Sequence, residues 1–185
     1  MGESSDFGSW GHLAGRFFGA LSPAGPAADD EAWARGSLLE GELVLWHRMS
    51  GADRRHAVGV ARDSGRLLGP GEPPREVVAA ALLHDVGKVE SSLGTFSRVW
   101  VTLAAMAVGR PRLVRWGGTA PARGRPSARA RVGLYLSHDK VGADLLAAAG
   151  SHTLTVNWAR EHHMEPSRWT IDPQVGAALK AADGD

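Results

Sequence analysis

The chain has no cysteine among its 185 residues, which excludes disulfide bonds, thiolate catalysis and zinc sites built on cysteine. It also has no apolar run long enough for a bilayer. The longest one, residues 99–109, reaches about half of the ~20 residues that a membrane helix needs. Its N-terminus has no basic start followed by an apolar run, the pattern that marks a secretory signal. The missing signal and the short apolar run predict a cytoplasmic protein without a membrane partner; the lack of cysteine says little about compartment.

Acidic residues are missing from one long stretch, between Ser91 and His138. A stretch with charge of one sign can attract phosphate-bearing molecules or simply form a solvated basic face, and the sequence leaves both readings open. The formal net charge of the whole chain is only +1, so it selects no partner. The arginines of this stretch are Arg98, Arg110, Arg112, Arg115, Arg123, Arg125, Arg129 and Arg131.

Strand-like alternation of apolar and polar residues is almost absent after residue 50, which predicts an all-α helical bundle. Acidic residues at 29–31 predict the first turn of a helix that continues through Trp46 and ends near Gly51. Asp53 is the predicted cap of a second helix. After the breaker GPGEPP, Pro74 suits the first turn of a third helix that ends near Gly87. Further helices are predicted over residues 96–108, 127–137, 139–149, 152–163 and 172–182, with a mobile loop over 117–130.

The domain organisation follows from the same pattern. Residues 1–26 are rich in glycine, serine and proline and are predicted to form a loosely ordered leader. Residues 27–185 are predicted to form a single helical domain.

Five of the eight histidines fall where predicted helices end or face one another: His56, His84, His138, His162 and His163. Two adjacent pairs of candidate ligands occur among them, His84-Asp85 and His162-His163. Neighbouring side chains on a helix point about 100° apart, so such a pair converges on one ion only near a helix end. Imidazole together with carboxylate suits zinc, iron, manganese or nickel.

These residues resemble the ligands of the HD-domain metal-dependent phosphohydrolases. That family has a His, a His-Asp doublet and a distant Asp on a helical core, matched here by His56 in RRHAVGVAR, His84-Asp85 in AALLHDVGKVE and Asp183 in ALKAADGD. The resemblance covers roughly residues 50–183.

Two further segments resemble the members of the family that bind two metal ions. YLSHDKVGADLL supplies His138, and WAREHHMEP supplies His162 and His163. The string HDVGK also resembles the branch that acts on cyclic dinucleotides, but the Gly-Tyr-Pro element of that branch is absent after the His pair. Ala52 stands where some members carry an acidic residue, which argues against a third metal. The acidic pair of the members that hydrolyse alarmones is missing as well.

The resemblance implies a site for divalent metal, with two ions of iron, manganese, zinc, nickel or magnesium. His56, His84, Asp85 and Asp183 would bind the first ion, and Asp85 would bridge to a second ion held by the remaining histidines, His138, His162 and His163. Asp85 and Lys88 are the candidate catalytic residues, with Lys88 either holding a phosphate oxygen or forming a solvated end of the helix. The implied reaction is hydrolysis of a phosphate monoester or diester by a metal-activated hydroxide. The expected partner is a phosphate-bearing small molecule such as a nucleotide, and not a nucleic acid.

Two other functions stay open at this point. Some relatives of the fold are di-iron oxygenases with closely similar ligands, and a non-catalytic module that binds a nucleotide is the third reading. Outside the motif, His12, His47 and His152 are interpreted as surface or capping residues. The seven tryptophans are interpreted as core, with Trp158 and Trp169 as alternative borders of a substrate pocket.

Overall fold

The computed structural model describes residues 24–91, 108–117 and 126–184, together with four isolated positions between 92 and 107. Every regular element in these ranges is a helix, which confirms the all-α class. The α-helices are α1 (Ala28–Gly36), α2 (Glu40–Arg48), α3 (Gly51–Leu68), α4 (Arg75–Leu83), α5 (Lys88–Ser91), α6 (Arg110–Gly117), α7 (Ala128–Leu136), α8 (His138–Ala148), α9 (Thr153–Glu161) and α10 (Pro173–Asp183), with a short 3-10 helix at Pro166–Arg168.

Helix α4 lies at the centre of the bundle. Every residue from Val77 to Gly87 is buried, so this segment is surrounded on all sides. Four of these residues are alanine or glycine in addition to the larger apolar ones, which lets neighbouring helices approach closely. Helix α4 packs against α3 and α9, α3 packs against α10, and α8 packs against α9. The segment that follows α4 therefore reaches a point that the ends of several helices share.

The predicted first helix is wrong as a single element. Residues 28–48 form two helices, α1 and α2, with a break at residues 37–39. Ser37 ends the first by donating its hydroxyl to the carbonyl of Trp33 at 3.0 Å. Glu42 starts the second, because its carboxylate accepts the backbone N–H of Leu39 at 2.8 Å. Side-chain capping at both ends outweighs the continuous apolar pattern.

The predicted cap of the second helix is also wrong by three residues. Ser50 is the N-cap of α3, and its hydroxyl oxygen accepts the backbone N–H of Asp53 at 3.1 Å. Asp53 lies in the first turn, where its carboxylate accepts a hydrogen bond from the Ser50 hydroxyl at 2.7 Å. The four helices predicted over 127–137, 139–149, 152–163 and 172–182 match α7 to α10 within one or two residues at each end.

Three predictions fall wholly or largely outside the described residues: the leader before residue 24, the helix over 96–108, and the centre of the loop over 117–130. No helix in the described ranges combines the length and apolar character needed to cross a bilayer.

The tryptophans divide between core and surface. Trp46 and Trp158 are fully buried, as predicted, whereas Trp116 is 51% exposed, so its assignment to the core is wrong. Its position on α6 explains the difference, since the buried contact of α6 is made by Gly117, which lies against the backbone of Gly133. Trp10 and Trp100 lie outside the described residues.

Candidate metal centre

One group of side chains joins three distant parts of the chain: His56 from the first half of α3, His84 from the turn after α4, and Asp183 from the last residue of α10. One candidate ligand atom from each lies within 4.8 Å of the others. The Nε2 atom of His56 is 2.7 Å from Oδ1 of Asp183, and Nε2 of His84 is 3.7 Å from the same oxygen. We call these three residues the first triad.

A second group consists of His138, at the first position of α8, and the adjacent residues His162 and His163 at the end of α9. Their candidate ligand nitrogens also lie within 4.8 Å of one another. The Nε2 atoms of His138 and His163 are 3.2 Å apart, and the rings of His162 and His163 have centroids 3.9 Å apart. We call these three residues the second triad.

Asp85 lies between the two triads and faces both. One of its carboxylate oxygens, Oδ2, is 3.4 Å from Nε2 of His84, and the other, Oδ1, is 3.3 Å from Nε2 of His138. The side chain is buried, with a residue exposure of 8%. A carboxylate with one oxygen directed at each group of imidazoles has the geometry of a ligand that bridges two cations.

The ends of helices bring these side chains together, as the adjacent pairs His84-Asp85 and His162-His163 predicted. His84 follows the last residue of α4, His162 follows the last residue of α9, and Asp183 ends α10, where Gly184 adopts a left-handed φ of 77°. The backbone angles are still helical at His84 and His162, and the turns that follow, at residues 85–87 and 163–164, let consecutive side chains converge.

Gly87 allows the turn after His84-Asp85 to pack against the start of α8. A Cβ atom at this position would lie 2.0 Å from the carbonyl oxygen of His138 and 2.6 Å from the backbone nitrogen of Gly142. Both are backbone atoms and cannot rotate away. Only glycine therefore permits the distance at which Asp85 faces His138.

Backbone carbonyls orient three of the imidazoles in the same way. Nδ1 of His84, His138 and His162 lies 2.9, 2.7 and 2.9 Å from the carbonyl oxygen three residues earlier, in Ala81, Tyr135 and Ala159 respectively. A carbonyl only accepts, so Nδ1 carries the proton in each ring and Nε2 is the nitrogen left to face the centre. Histidines that bind metals in proteins usually have such a partner for the second nitrogen.

Two of these inward nitrogens, Nε2 of His84 and of His162, are buried and make no hydrogen bond within the described part of the chain. A buried polar atom without a partner costs roughly 1–3 kcal/mol, and such atoms are rare in folded proteins. The described His and Asp groups can therefore hold a metal ion. An ion would satisfy both nitrogens, of which that of His84 has only the longer ion pairs with Asp85 and Asp183.

The electrostatics of the first triad favour a cation. Burial alone would lower the pKa of His84, but the carboxylates of Asp85 and Asp183 outweigh it and raise that pKa to about 9. Burial would raise the pKa of Asp183, but the hydrogen bond from His56 and the charge of His84 hold it well below its usual value. The carboxylates thus favour positive charge in the pocket, and a metal ion bound there would take the place of the His84 proton.

In the second triad, the pKa of His162 is displaced in the opposite direction. Burial, together with the neighbouring rings of His84 and His163, lowers the pKa of His162 to about 2. This imidazole is neutral at ordinary pH, which is the form that binds metals.

Lys88 lies one turn beyond His84 and forms an ion pair with Oδ2 of Asp85. Burial would lower the pKa of its ammonium, but the charges of Asp85, Asp53 and Tyr135 raise it. The pKa of Asp85 is held well below its usual value because Lys88 and His84 outweigh the effect of burial. Sequence reasoning assigned no role to Asp53 or Tyr135 here, since neither belongs to the motif.

Several residues singled out in the sequence lie elsewhere. His47 is exposed on α2, and His152 caps α9 by accepting the N–H of Leu154 at 3.2 Å, both as interpreted. Trp158 is buried beside His162, with ring centroids 6.2 Å apart, and so belongs to the core under the second triad. In the arginine-rich stretch, Arg131 donates its Nε–H to the carbonyl of Ser91 at 3.0 Å.

A cleft of about 740 Å³ lies at the other end of α3 and α4, lined by residues such as Trp33, Arg62 and Arg75. None of the residues of the two triads borders it. Arg75 and His84 are nine positions apart, which is about 13 Å along a helix. The cleft is therefore a feature separate from the candidate centre.

No family model matches this chain, and neither does any curated protein or solved structure.

Proposed function

We propose that the chain is a metal-dependent phosphohydrolase that acts on a nucleotide or another phosphate monoester or diester. The observation that carries the proposal is the position of Asp85, whose carboxylate faces a His/Asp triad on one side and a His triad on the other. A carboxylate between two such clusters is the arrangement expected of a two-ion site.

The residues present fit a pair of divalent ions. His56, His84 and Asp183 would hold one, His138, His162 and His163 would hold the other, and Asp85 would contribute one oxygen to each. Each ion would have four nitrogen and oxygen ligands and no thiolate, so an ion that takes six ligands, such as magnesium or manganese, would keep positions open for water and substrate. When bound, two such ions supply an activated water and neutralise the charge that grows on the phosphoryl oxygens.

The chain's own residues would then bind and orient the substrate. Lys88 places an ammonium beside the bridging carboxylate, where it is positioned to hold a non-bridging oxygen of the phosphate as a point charge. The backbone carbonyls of Ala81, Tyr135 and Ala159 fix the imidazole rings before substrate arrives. This preorganisation means that no ring has to turn during the reaction.

Elemental analysis of the purified protein, beside hydrolysis of bis(p-nitrophenyl) phosphate and of a panel of nucleotides, tests the proposal. The variants His84→Ala and Asp85→Ala are expected to lose metal and turnover together while circular dichroism still reports a helical protein. His47→Ala is the matched control, because it removes an exposed imidazole from α2 and should change neither property. Full metal content in the first two variants would contradict the proposal.

The same preparation separates hydrolysis from oxygenation. A hydrolase releases product at the same rate with and without oxygen, whereas a di-iron oxygenase consumes oxygen in proportion to product. Nucleotide binding without turnover in the metal-loaded protein would instead support a regulatory module.

A further inference from the structure

A buried carboxylate outside the two triads, Glu161, lies directly before His162 and His163. It is 6% exposed, and its carboxylate accepts two hydrogen bonds from one residue, Thr170. The backbone N–H of Thr170 donates to Oε2 at 2.7 Å, and the hydroxyl donates to Oε1 at 2.6 Å. The hydroxyl oxygen in turn accepts from Nδ2 of Asn157 at 2.8 Å.

The backbone carbonyl of Glu161 binds the same loop at two more points. It accepts the N–H of Met164 at 2.7 Å and the indole N–H of Trp169 at 3.2 Å. Helix α9 ends at this residue, and the loop turns back across its end. Glu161 therefore fixes where the helix stops and in which direction the chain leaves it.

That exit decides whether His162 and His163 can face the same point. On a continuous helix their side chains would diverge by about 100°. Here their rings are 3.9 Å apart, and His163 reaches to 3.2 Å from His138. Both distances depend on the turn at residues 162–164, which begins at the last helical hydrogen bond, from the His162 N–H to the Trp158 carbonyl at 3.0 Å.

The loop is anchored at its far end as well. The indole of Trp169 lies against Gly176 on α10, where a Cβ atom would come within 2.5 Å of the ring. Gly176 precedes Asp183 by seven residues, or about two helical turns. Glu161 and Trp169 together connect the end of α9 to the helix that carries the carboxylate of the first triad.

A buried carboxylate requires compensation by hydrogen bonds, and an apolar residue would fill this place without that cost. We propose that Glu161, acting through Thr170, is a positioning residue that sets the second triad for its metal ion. The inference rests on the proposed two-ion function. It assigns to Glu161 no contact with substrate or ion.

The experiment counts bound ions and identifies the site that each ion occupies. Cobalt(II) is added to the purified protein, and the number of bound ions and the visible absorption spectrum are measured for each variant. Two variants serve as references: His56→Ala impairs the first triad, and His163→Ala impairs the second. Glu161→Ala is expected to bind about one ion fewer than the unaltered protein and to give the spectrum of His163→Ala. Glu161→Gln, which keeps one acceptor oxygen, should restore part of the second occupancy.

A matched pair of variants at Thr170 tests the inference independently, in case the Glu161 variants misfold. Thr170→Val removes the hydroxyl and should weaken cobalt binding at the second triad at least several-fold, whereas Thr170→Ser keeps the hydroxyl and should bind as the unaltered protein does. If Glu161→Ala and Thr170→Val bind both ions with unchanged spectra, or lose both ions together, the inference is wrong. If the unaltered protein binds no cobalt, the proposed function itself fails.

Discussion

At the scale of single residues, the histidines were predictable and their supports were not. The order His56, His84-Asp85, His138, His162-His163 and Asp183 is visible in the sequence because ligand types stand out at helix ends. Glu161 has no such signal, since nothing in the letters REHH indicates that the carboxylate is buried and bound to Thr170 nine residues later. Its role depends on a tertiary contact that periodicity does not encode.

One histidine of each triad has a displaced pKa, raised for His84 and lowered for His162, and this predicts how pH affects the protein treated with a chelator. The pKa of His84 is raised to about 9. Its contribution to the free energy of unfolding is therefore fully present below about pH 6.5 and is lost as the pH rises towards 9. The pKa of His162 is lowered to about 2. Below about pH 6.5 the unfolded chain binds a proton at this residue and the folded protein does not, so the free energy of unfolding declines as the pH falls. The free energy of unfolding should therefore be greatest near pH 6.5.

Urea denaturation across the pH range, with chelator present, checks this expectation. His84→Gln should flatten the decline on the alkaline side, and His162→Gln should flatten the decline between about pH 6.5 and 4. Unaltered slopes in both variants would show that neither imidazole has the displaced pKa.

At the scale of helices and turns, the fold class and the bounds of α7 to α10 followed from sequence, but the break between α1 and α2 and the cap of α3 did not. The break between α1 and α2 comes from Ser37 and Glu42, whose side chains bind backbone groups at 3.0 and 2.8 Å. Apolar periodicity continues through the break, so the pattern alone favoured one helix. Hydrogen bonds from side chains to the backbone can end a helix where the apolar periodicity continues, and the spacing of apolar residues does not reveal them.

The close approach of the turn after α4 to the start of α8 gives a sharp test at this scale. Gly87→Ala puts a methyl group 2.0 Å from the carbonyl oxygen of His138, so the two segments must separate. We expect a loss of about 2–4 kcal/mol in the free energy of unfolding, as for overpacking against rigid backbone, and weaker metal binding because Asp85 moves away from His138.

Gly59→Ala is the matched control for that substitution. Gly59 is an exposed helical glycine in α3 whose added Cβ would meet nothing within 4 Å. Alanine there should stabilise the protein by about 0.5–1 kcal/mol through helix propensity. Equal effects of the two substitutions in denaturation experiments would show that the contact at Gly87 is not close.

At the scale of the whole molecule, the candidate centre connects helices from both ends of the described chain. His56 and Asp183 are 127 positions apart and yet lie 2.7 Å from each other. Sequence predicted which residues would meet, through resemblance to a family, but not the direction of each ring or the carbonyls that hold it. An ion at such a junction would stabilise the entire bundle, because its ligands come from α3, α8 and α10 and from the segments that follow α4 and α9.

Removal of metal should therefore lower the melting temperature. Ligand at about 100 times its Kd adds about 2.7 kcal/mol, and each kcal/mol corresponds to about 2–4 °C for a chain of this length. We expect chelation to lower the melting temperature of the metal-loaded protein by roughly 5–10 °C, with recovery on adding metal. Chelation should lower the melting temperature of His47→Ala by the same amount and that of His84→Ala by much less. Identical melting curves of the unaltered protein with and without chelator would contradict a structural contribution from metal.

Anomalous X-ray scattering from crystals of the manganese- or zinc-loaded protein, recorded at the absorption edge of the metal, tests the two-ion assignment most directly. The assignment predicts two anomalous peaks per chain, about 3.5–4 Å apart, one on each side of the Asp85 carboxylate. The peaks should be adjacent to Nε2 of His84 and Nε2 of His162. A single peak, or peaks remote from Asp85, would contradict it.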